Sequence, residues 1–201
     1  MNIEILFDDS FIVVCKKPSG ICAQEGSNIN MVSLLKEQLS CDIFPVHRLD
    51  NQTQGIMVFA KQREAAAKLS TQIQNGSFKK KYIAYAIGEF ENESGILEDL
   101  LFYDRNKNKS FVVKRERKGV KKASLHYKVL EYVNGITKLE IELFTGRTHQ
   151  IRVQLASRQH PLAGDAKYGG KSEIYGNNFN LTAFFVSFFH PDTKKPMEFQ
   201  I

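Results

Sequence analysis

Two short apolar runs separated by a polar triplet open the chain. Ile5-Leu6-Phe7 and Phe11 to Cys15 flank Asp8-Asp9-Ser10, a pattern that predicts a hairpin or two adjacent strands. Pro18 and Gly20, in Lys16-Lys17-Pro18-Ser19-Gly20, end the second run. From Met31 to Leu39 the apolar Val32, Leu35 and Leu39 fall on one face of a helix. Gly55 to Ala60 predicts a buried strand. Arg63 to Asn75 predicts an amphipathic helix with Ala66, Leu69 and Ile73 inward and Asn75-Gly76 as its stop. Lys81 to Gly88 predicts a strand, with Tyr82 and Tyr85 flanking Ile83 and Ala84. Ser124 to Tyr132 and Thr137 to Phe144 predict paired strands around a turn at Asn134-Gly135. Arg147 to Ser157 predicts a helix bearing Ile151, Val153 and Leu155, and Phe184 to Phe189 a late strand. Strands outnumber helices and are joined by turns. The expected class is therefore α+β, with a mixed, mostly antiparallel β-sheet flanked by helices. With no internal repeat, low-complexity stretch or Pro-rich hinge, residues 1–201 read as a single domain.

At 201 residues the chain is long enough to bury a core without metal or disulfide staples. No apolar run approaches the roughly 18 to 20 residues that span a bilayer, and Ala183 to Phe189 is far shorter. The opening Met1-Asn2-Ile3-Glu4 has neither a basic region nor a signal-like apolar stretch, so a cytoplasmic protein without a membrane partner is expected. Cys15, Cys22 and Cys41 form no CxxC pair and no even framework, which fits a reducing compartment. Lys and Arg number 28 against 22 Asp and Glu, and the resulting +6 favours a polyanionic partner such as nucleic acid.

Four segments interrupt the core pattern with charge. His47-Arg48-Leu49-Asp50, continuing to Gly55, sits just ahead of a buried strand, where a loop at the sheet's end is a common place for a site. The same pattern suits a solvated loop in which Asp50 caps a turn. Thr145-Gly146-Arg147-Thr148-His149-Gln150-Ile151-Arg152 combines a turn into a helix with two arginines, suited to phosphate contacts or to ordinary capping with an ion pair. Lys79, Lys80 and Lys81 precede the aromatic strand, as basic residues do on a nucleic-acid face or ahead of a core tyrosine. Lys114 to Lys122 has six basic residues in nine and reads as a mobile loop able to meet phosphates. His47, Asp50, His149, His160, Asp165 and His190 are metal-ligand types, but no HxH, HxxxH or HExxH spacing occurs, and no metal is expected. Phosphate-binding GxxxxGK[ST] and GxGxxG loops are absent too.

Taken in order, these segments resemble the RluA-type pseudouridine synthases of ribosomal and transfer RNA. His47 to Gly55 is similar to that family's HRLD-x-x-T-x-G motif, Tyr82 to its K-x-Y-x-A segment, Thr145 to Arg152 to its TGR-x-HQIR motif, and His160 to Asp165 to its HP-(x)2-GD segment. Val13 to Gly20 resembles the family's opening KPxG region. The resemblance implies a pseudouridine synthase fold with a central RNA-binding cleft. It also implies base flipping, cleavage of the N-glycosidic bond, rotation of the base and rejoining at C5. Asp50 would be the catalytic residue, either attacking the ribose C1′ or abstracting the C2′ proton. Arg152 would be its ion-pair partner and Tyr82 would stack on the target base. Arg48 would act at the gap left by the flipped base, with Thr53, Arg147, His149 and Lys79 to Lys81 as further RNA contacts. The reaction is an isomerisation, so no cofactor is implied. The partner is rRNA or tRNA, and the expected form is a monomer with no separate N-terminal RNA-binding domain. A catalytically silent RNA-binding or ribosome-assembly protein of the same fold is the alternative. A metal-dependent hydrolase is disfavoured by the missing ligand spacings. Three positions depart from the family pattern: Gln54 stands where Ser is usual, Gln154 where His is common, and Thr182 replaces the His of a Leu-His-Ala segment.

Overall fold

The N-terminal hairpin forms. In the computed structural model, which describes residues 1–24, 29–171 and 180–201, β1 (Glu4–Asp8) pairs antiparallel with β2 (Ile12–Lys17). The residues fall into two compact units: Met1–Lys80 with Thr182–Ile201, and Lys81–Leu181. Among the described residues no helix is long and apolar enough to cross a membrane.

In the first unit, α1 (Met31–Leu39) lies where its apolar face predicts, with Asn30 as N-cap accepting from the Ser33 N–H. β3 (Phe44–Pro45) and β2 both pair antiparallel with β4 (Gln54–Ala60), whose residues from Gly55 onward are all buried. The predicted second helix is α2 (Arg63–Gln74), ended by Asn75 and by Gly76 at φ +77°. Its Ala65 and Leu69 pack with Ile12, Val14, Ile56, Val58, Phe78 and Phe188 in one core. Numbering past the strands of the second unit, β10 (Leu181–Phe189) runs parallel to β4 and antiparallel to β11 (Pro196–Gln200).

The second unit is an antiparallel sheet in the order β5 (Lys79–Ile87), β9 (Ile136–Leu143), β8 (Val120–Val133), β6 (Ser94–Asp104), β7 (Lys109–Val113). Asn134 and Gly135 form the two-residue turn between β8 and β9, both at positive φ, which suits the twist of a hairpin. The third helix is shorter than its pattern predicts. α3 spans Gln150–Ala156, because His149 takes a left-handed φ of +53° and breaks the helix on its N-terminal side. Among the described residues, α+β with a mixed, mostly antiparallel sheet and three α-helices is therefore the observed class.

Two positions fix the approach to β4. His47 Nε2 accepts the Val58 N–H at 3.0 Å, so the neutral ring carries its proton on Nδ1. Burial, with the Lys80 charge adding, holds the His47 pKa at about 3, down from 6.5. Gly55 has φ +116°, and a Cβ there would lie 2.2 Å from the Ala183 carbonyl oxygen.

Gly55→Ala is expected to cost about 3 kcal/mol or more of stability, read from urea unfolding, because the clash is with backbone on the neighbouring strand. Between pH 6.5 and 3 the unfolded chain takes up a proton at position 47 that the fold refuses. Stability should fall as pH drops through that window, by up to about 1.4 kcal/mol per pH unit from this residue. His47→Gln retains an acceptor for Val58 and should flatten that acid slope in the same unfolding measurement.

Candidate active site

Asp50 stands on a tight turn in the first unit. The Thr53 N–H donates to the Asp50 carbonyl at 3.0 Å, and Asn51 and Gln52 project as the exposed tip. The opening KPxG segment clamps this turn. Lys17 Nζ donates to the Asn51 carbonyl at 2.9 Å and to Pro18's at 2.8 Å. The Gly20 N–H donates to the same Asn51 oxygen at 2.9 Å, and Ser19 Oγ to the Gln52 carbonyl at 2.8 Å. Lys17 is fully buried. Burial lowers its pKa to about 8, against the opposing pull of Cys22 and Asp50, so at neutral pH it remains an ammonium. The turn thus presents a half-buried carboxylate on a backbone held from one side by three hydrogen bonds, from Lys17, Gly20 and Ser19. Arg48 is exposed beside it, Leu49 is buried, and Thr53 is buried with its hydroxyl oxygen unpartnered.

Arg152 belongs to the second unit and projects from α3, where it is buried. Asp165 grips it in a bidentate pair, Nε to Oδ2 at 2.6 Å and Nη2 to Oδ1 at 2.8 Å. The guanidinium also lies over the Tyr168 ring, 5.0 Å from its centroid. Tyr168 is held in turn: the Ser110 N–H donates to its hydroxyl at 2.8 Å, and His149 Nδ1 lies 3.0 Å from the same oxygen. Ser110 Oγ donates to the Thr148 carbonyl. The segment carrying Asp165 is itself fixed against β5, through Ile87 N–H to the Pro161 carbonyl and Ala163 N–H to Tyr85's. A planar, permanently charged group gripped along one edge by two hydrogen bonds and covered on one face has little freedom to turn.

The remaining predicted residues fall as follows. Tyr82 is buried on β5, opposite Ile141 of β9. His149 joins the Arg152 network through Tyr168. Arg147 donates from Nε to the Lys122 carbonyl at 2.9 Å, and its own N–H is taken by Gln150 Oε1 at 3.0 Å. The threonine–glycine turn therefore caps itself at that N–H rather than presenting it to a phosphate. Lys79 is exposed, Lys80 is pulled below its ordinary pKa by burial, and Lys81 pairs with Glu140 at 3.0 Å. Asp165, Tyr168 and Lys17 had no assigned role at the sequence level. The resemblance of Val13 to Gly20 to the family's KPxG opening is the one signal in the sequence that Lys17 is more than a strand terminator. Among the described residues no group of three His, Cys, Asp or Glu side chains is disposed to hold a metal.

A family model described as RNA pseudouridylate synthase matches residues 11–157. The curated "uncharacterized RNA pseudouridine synthase YhcT" of Bacillus subtilis is 36% identical over 202 residues, which are 96% of this chain and 66% of that protein. Ribosomal large subunit pseudouridine synthase C of Buchnera aphidicola subsp. Baizongia pistaciae is 35% identical over 206 residues, covering 96% of this chain and 65% of its own length. The chain thus spans about two thirds of the length of these relatives. The solved structure of human RNA pseudouridylate synthase domain containing 4 matches with a TM-score of 0.80 at 21% identity, over 98% of this chain and 87% of that one, a likeness of fold alone. With the family model spanning most of the sequence and relatives above one-third identity along nearly all of it, the chain belongs to the RNA pseudouridylate synthase family.

Proposed function

We propose that the protein isomerises uridine to pseudouridine in RNA, with Asp50 as the catalytic residue. The observation that carries this reading is the Asp50 turn: a half-buried carboxylate on a backbone clamped by a buried ammonium. Catalysis by a single carboxylate depends on holding it within a fraction of an ångström of the reacting sugar, and a fixed turn supplies that. Asp50 attacks C1′ or removes the C2′ proton, and either role requires it ionised. Arg152 serves as its cationic partner, and its hold on Asp165 and Tyr168 supports a guanidinium of fixed orientation. Tyr82 stacks on the flipped base. Arg48, exposed next to the turn, suits the gap left in the RNA, because a long planar cation can stack there. Thr53, Arg147, His149 and Lys79 to Lys81 complete the proposed RNA contacts. The reaction needs no redox cofactor, metal or nucleotide energy source. The names of the curated relatives favour ribosomal RNA over transfer RNA. A cytoplasmic monomer is the matching form, and the unpaired Cys15, Cys22 and Cys41 fit a reducing compartment.

Release of tritium from RNA labelled at uridine C5 tests the reaction without a guess about the site, since forming the new C–C bond frees that hydrogen. The wild type should release tritium from total RNA of a strain lacking the gene. Asp50→Asn keeps the side chain's shape and should lower release by at least about a hundredfold with folding and RNA binding intact. Near-normal release by that variant would overturn the role of Asp50. No release by a folded wild type that binds RNA would instead favour the silent binding protein.

Arg152→Met should abolish release and also cost about 3–5 kcal/mol of stability, because Asp165 is left buried without its cation. Adding Asp165→Asn to that variant should restore much of the stability and none of the turnover. Recovery of both in the double variant would mean that Arg152 has only a structural role.

A further inference from the structure

The net positive charge of this protein arises from one segment. Residues 105–122 contain Arg105, Lys107, Lys109, Lys114, Arg115, Arg117, Lys118, Lys121 and Lys122 against the single carboxylate of Glu116, a net charge of +8. The whole chain carries +6, so the other 183 residues together carry −2. The segment comprises the turn 105–108, β7, the turn 114–119 and the first residues of β8, and β7 is the outermost strand of the second unit's sheet order. All the cations except Lys109 are exposed. Glu116 meets Lys122 at 3.7 Å with both side chains largely in solvent, a weak neutralisation. Lys79 to Lys81 contrast with this, since Lys81 is committed to Glu140 and Lys80 is drawn inward.

Aromatic rings lie among these cations. Phe102 of β6 is directly opposite Phe111 of β7 on one side and Val120 of β8 on the other, so the three share one face of the sheet. The Arg117 guanidinium lies 4.8 Å from the Phe102 ring centroid, and the Lys107 and Lys109 ammonium groups lie 5.8 and 5.9 Å from that of Phe111. Rings set among unneutralised cations are the pattern by which single-stranded nucleic acid is held, bases on the rings and phosphates on the cations. The remainder carries a net −2, so this segment is the strongest source of long-range attraction for a polyanion.

We propose that residues 105–122, with Phe102, form the RNA-gripping arm of this protein and supply the largest share of its salt-dependent affinity, while the other RNA contacts chiefly contribute chemistry and positioning. The proposal rests on the RNA substrate of the proposed function, but not on Asp50 being active.

The test is fluorescence anisotropy of a labelled 30-nucleotide RNA hairpin, titrated with protein across a salt series. The arm variant replaces Lys114, Arg115, Arg117 and Lys118 with Gln. A control variant replaces Lys36, Lys68, Lys194 and Lys195, which are exposed in the first unit, and so makes the same change in net charge. Equal thermal midpoints confirm that both are folded. The arm variant should bind at least tenfold more weakly at 0.1 M salt. Its slope of log K against log salt should fall by about 0.7–0.9 for each phosphate that the arm no longer neutralises. The control should stay within about twofold of wild type, whereas a long-range effect of net charge alone would move both variants alike. Phe111→Leu should weaken binding several-fold with the slope unchanged. Equal losses in the arm and control variants, or an unchanged slope in the arm variant, would overturn the proposal. The tritium assay separates the two readings. Loss of binding in the arm variant beside a wild type that releases no tritium would uphold the arm and overturn the synthase. Tritium release by a wild type whose arm variant binds normally would do the reverse.

Discussion

A buried ammonium organises the end of the first unit that carries the Asp50 turn. Lys17 closes β2, whose other buried residues are apolar, and its charge has to be satisfied where water does not reach. It is satisfied by two backbone carbonyls, one from Pro18 next door and one from Asn51, 34 residues away. Chain topology follows from that demand. The antiparallel register puts Lys17 opposite Gly55, which brings the turn ahead of β4 within the side chain's reach. The neighbouring residues then have defined duties. Pro18 stops the strand, and Gly20 at φ +84° turns the chain so that its N–H also reaches Asn51. Hydrogen bonds from a charged donor are about twice as strong as neutral ones, so the turn is fixed more firmly than its exposed tip suggests.

The second unit solves the same problem with the opposite division of labour. Here a buried guanidinium is matched by a buried carboxylate and an aromatic face. A buried ion pair is a poor source of net stability, because desolvating both partners costs several kcal/mol. Its value lies in direction, since a bidentate fork tolerates little rotation. Seven residues of α3 would be a marginal helix alone. Ile151, Val153 and Leu155 bury it, and Gln150 Oε1 ties its start to the preceding turn by accepting from Thr145 Oγ1 and the Arg147 N–H. Gln154 fits the same logic. Its Nε2 donates to Asp99 at 2.7 Å and to the Leu97 carbonyl at 3.1 Å, tying the helix to β6 and leaving its own oxygen unpartnered.

What is legible in the sequence follows from local physics. The N-terminal hairpin, α1, α2 and the Asn134-Gly135 turn depend on periodicity, caps and positive φ, all of which are written within a few residues. The start of α3 is not legible, because nothing in Arg147-Thr148-His149 forbids a helix. The left-handed His149 is held there by tertiary contacts, its ring on Tyr168 and its neighbour's carbonyl on Ser110. β6 and β7 are hidden for a related reason. Glu98 and Asp99 interrupt the apolar run of β6, and Asp99 is tolerated because Arg158 and Gln154 arrive from 59 and 55 residues away. The partners of Arg152 and Lys17 are long-range pairings as well, so motif spacing names the arginine and the aspartate without naming the groups that orient them.

The departures from the family pattern show the same dependence on pairing. Gln54 and Thr182 are 128 residues apart and differ from the usual Ser and His, as though independently. They are direct partners in the parallel register of β4 and β10, and Gln54 Nε2 donates to Thr182 Oγ1 at 3.2 Å. The next pair along is Gly55 with Ala183, where the backbones approach so closely that a Cβ on Gly55 has no room. Side chains at positions 54 and 182 therefore meet next to a contact that allows no adjustment, and a longer residue on one strand requires an accommodating one on the other. The two departures thus meet as one contact, at the start of β4 and β10 and beside the Asp50 turn. That turn takes its geometry from Lys17, Ser19 and Gly20, so its carboxylate can be held in place whichever pair occupies positions 54 and 182.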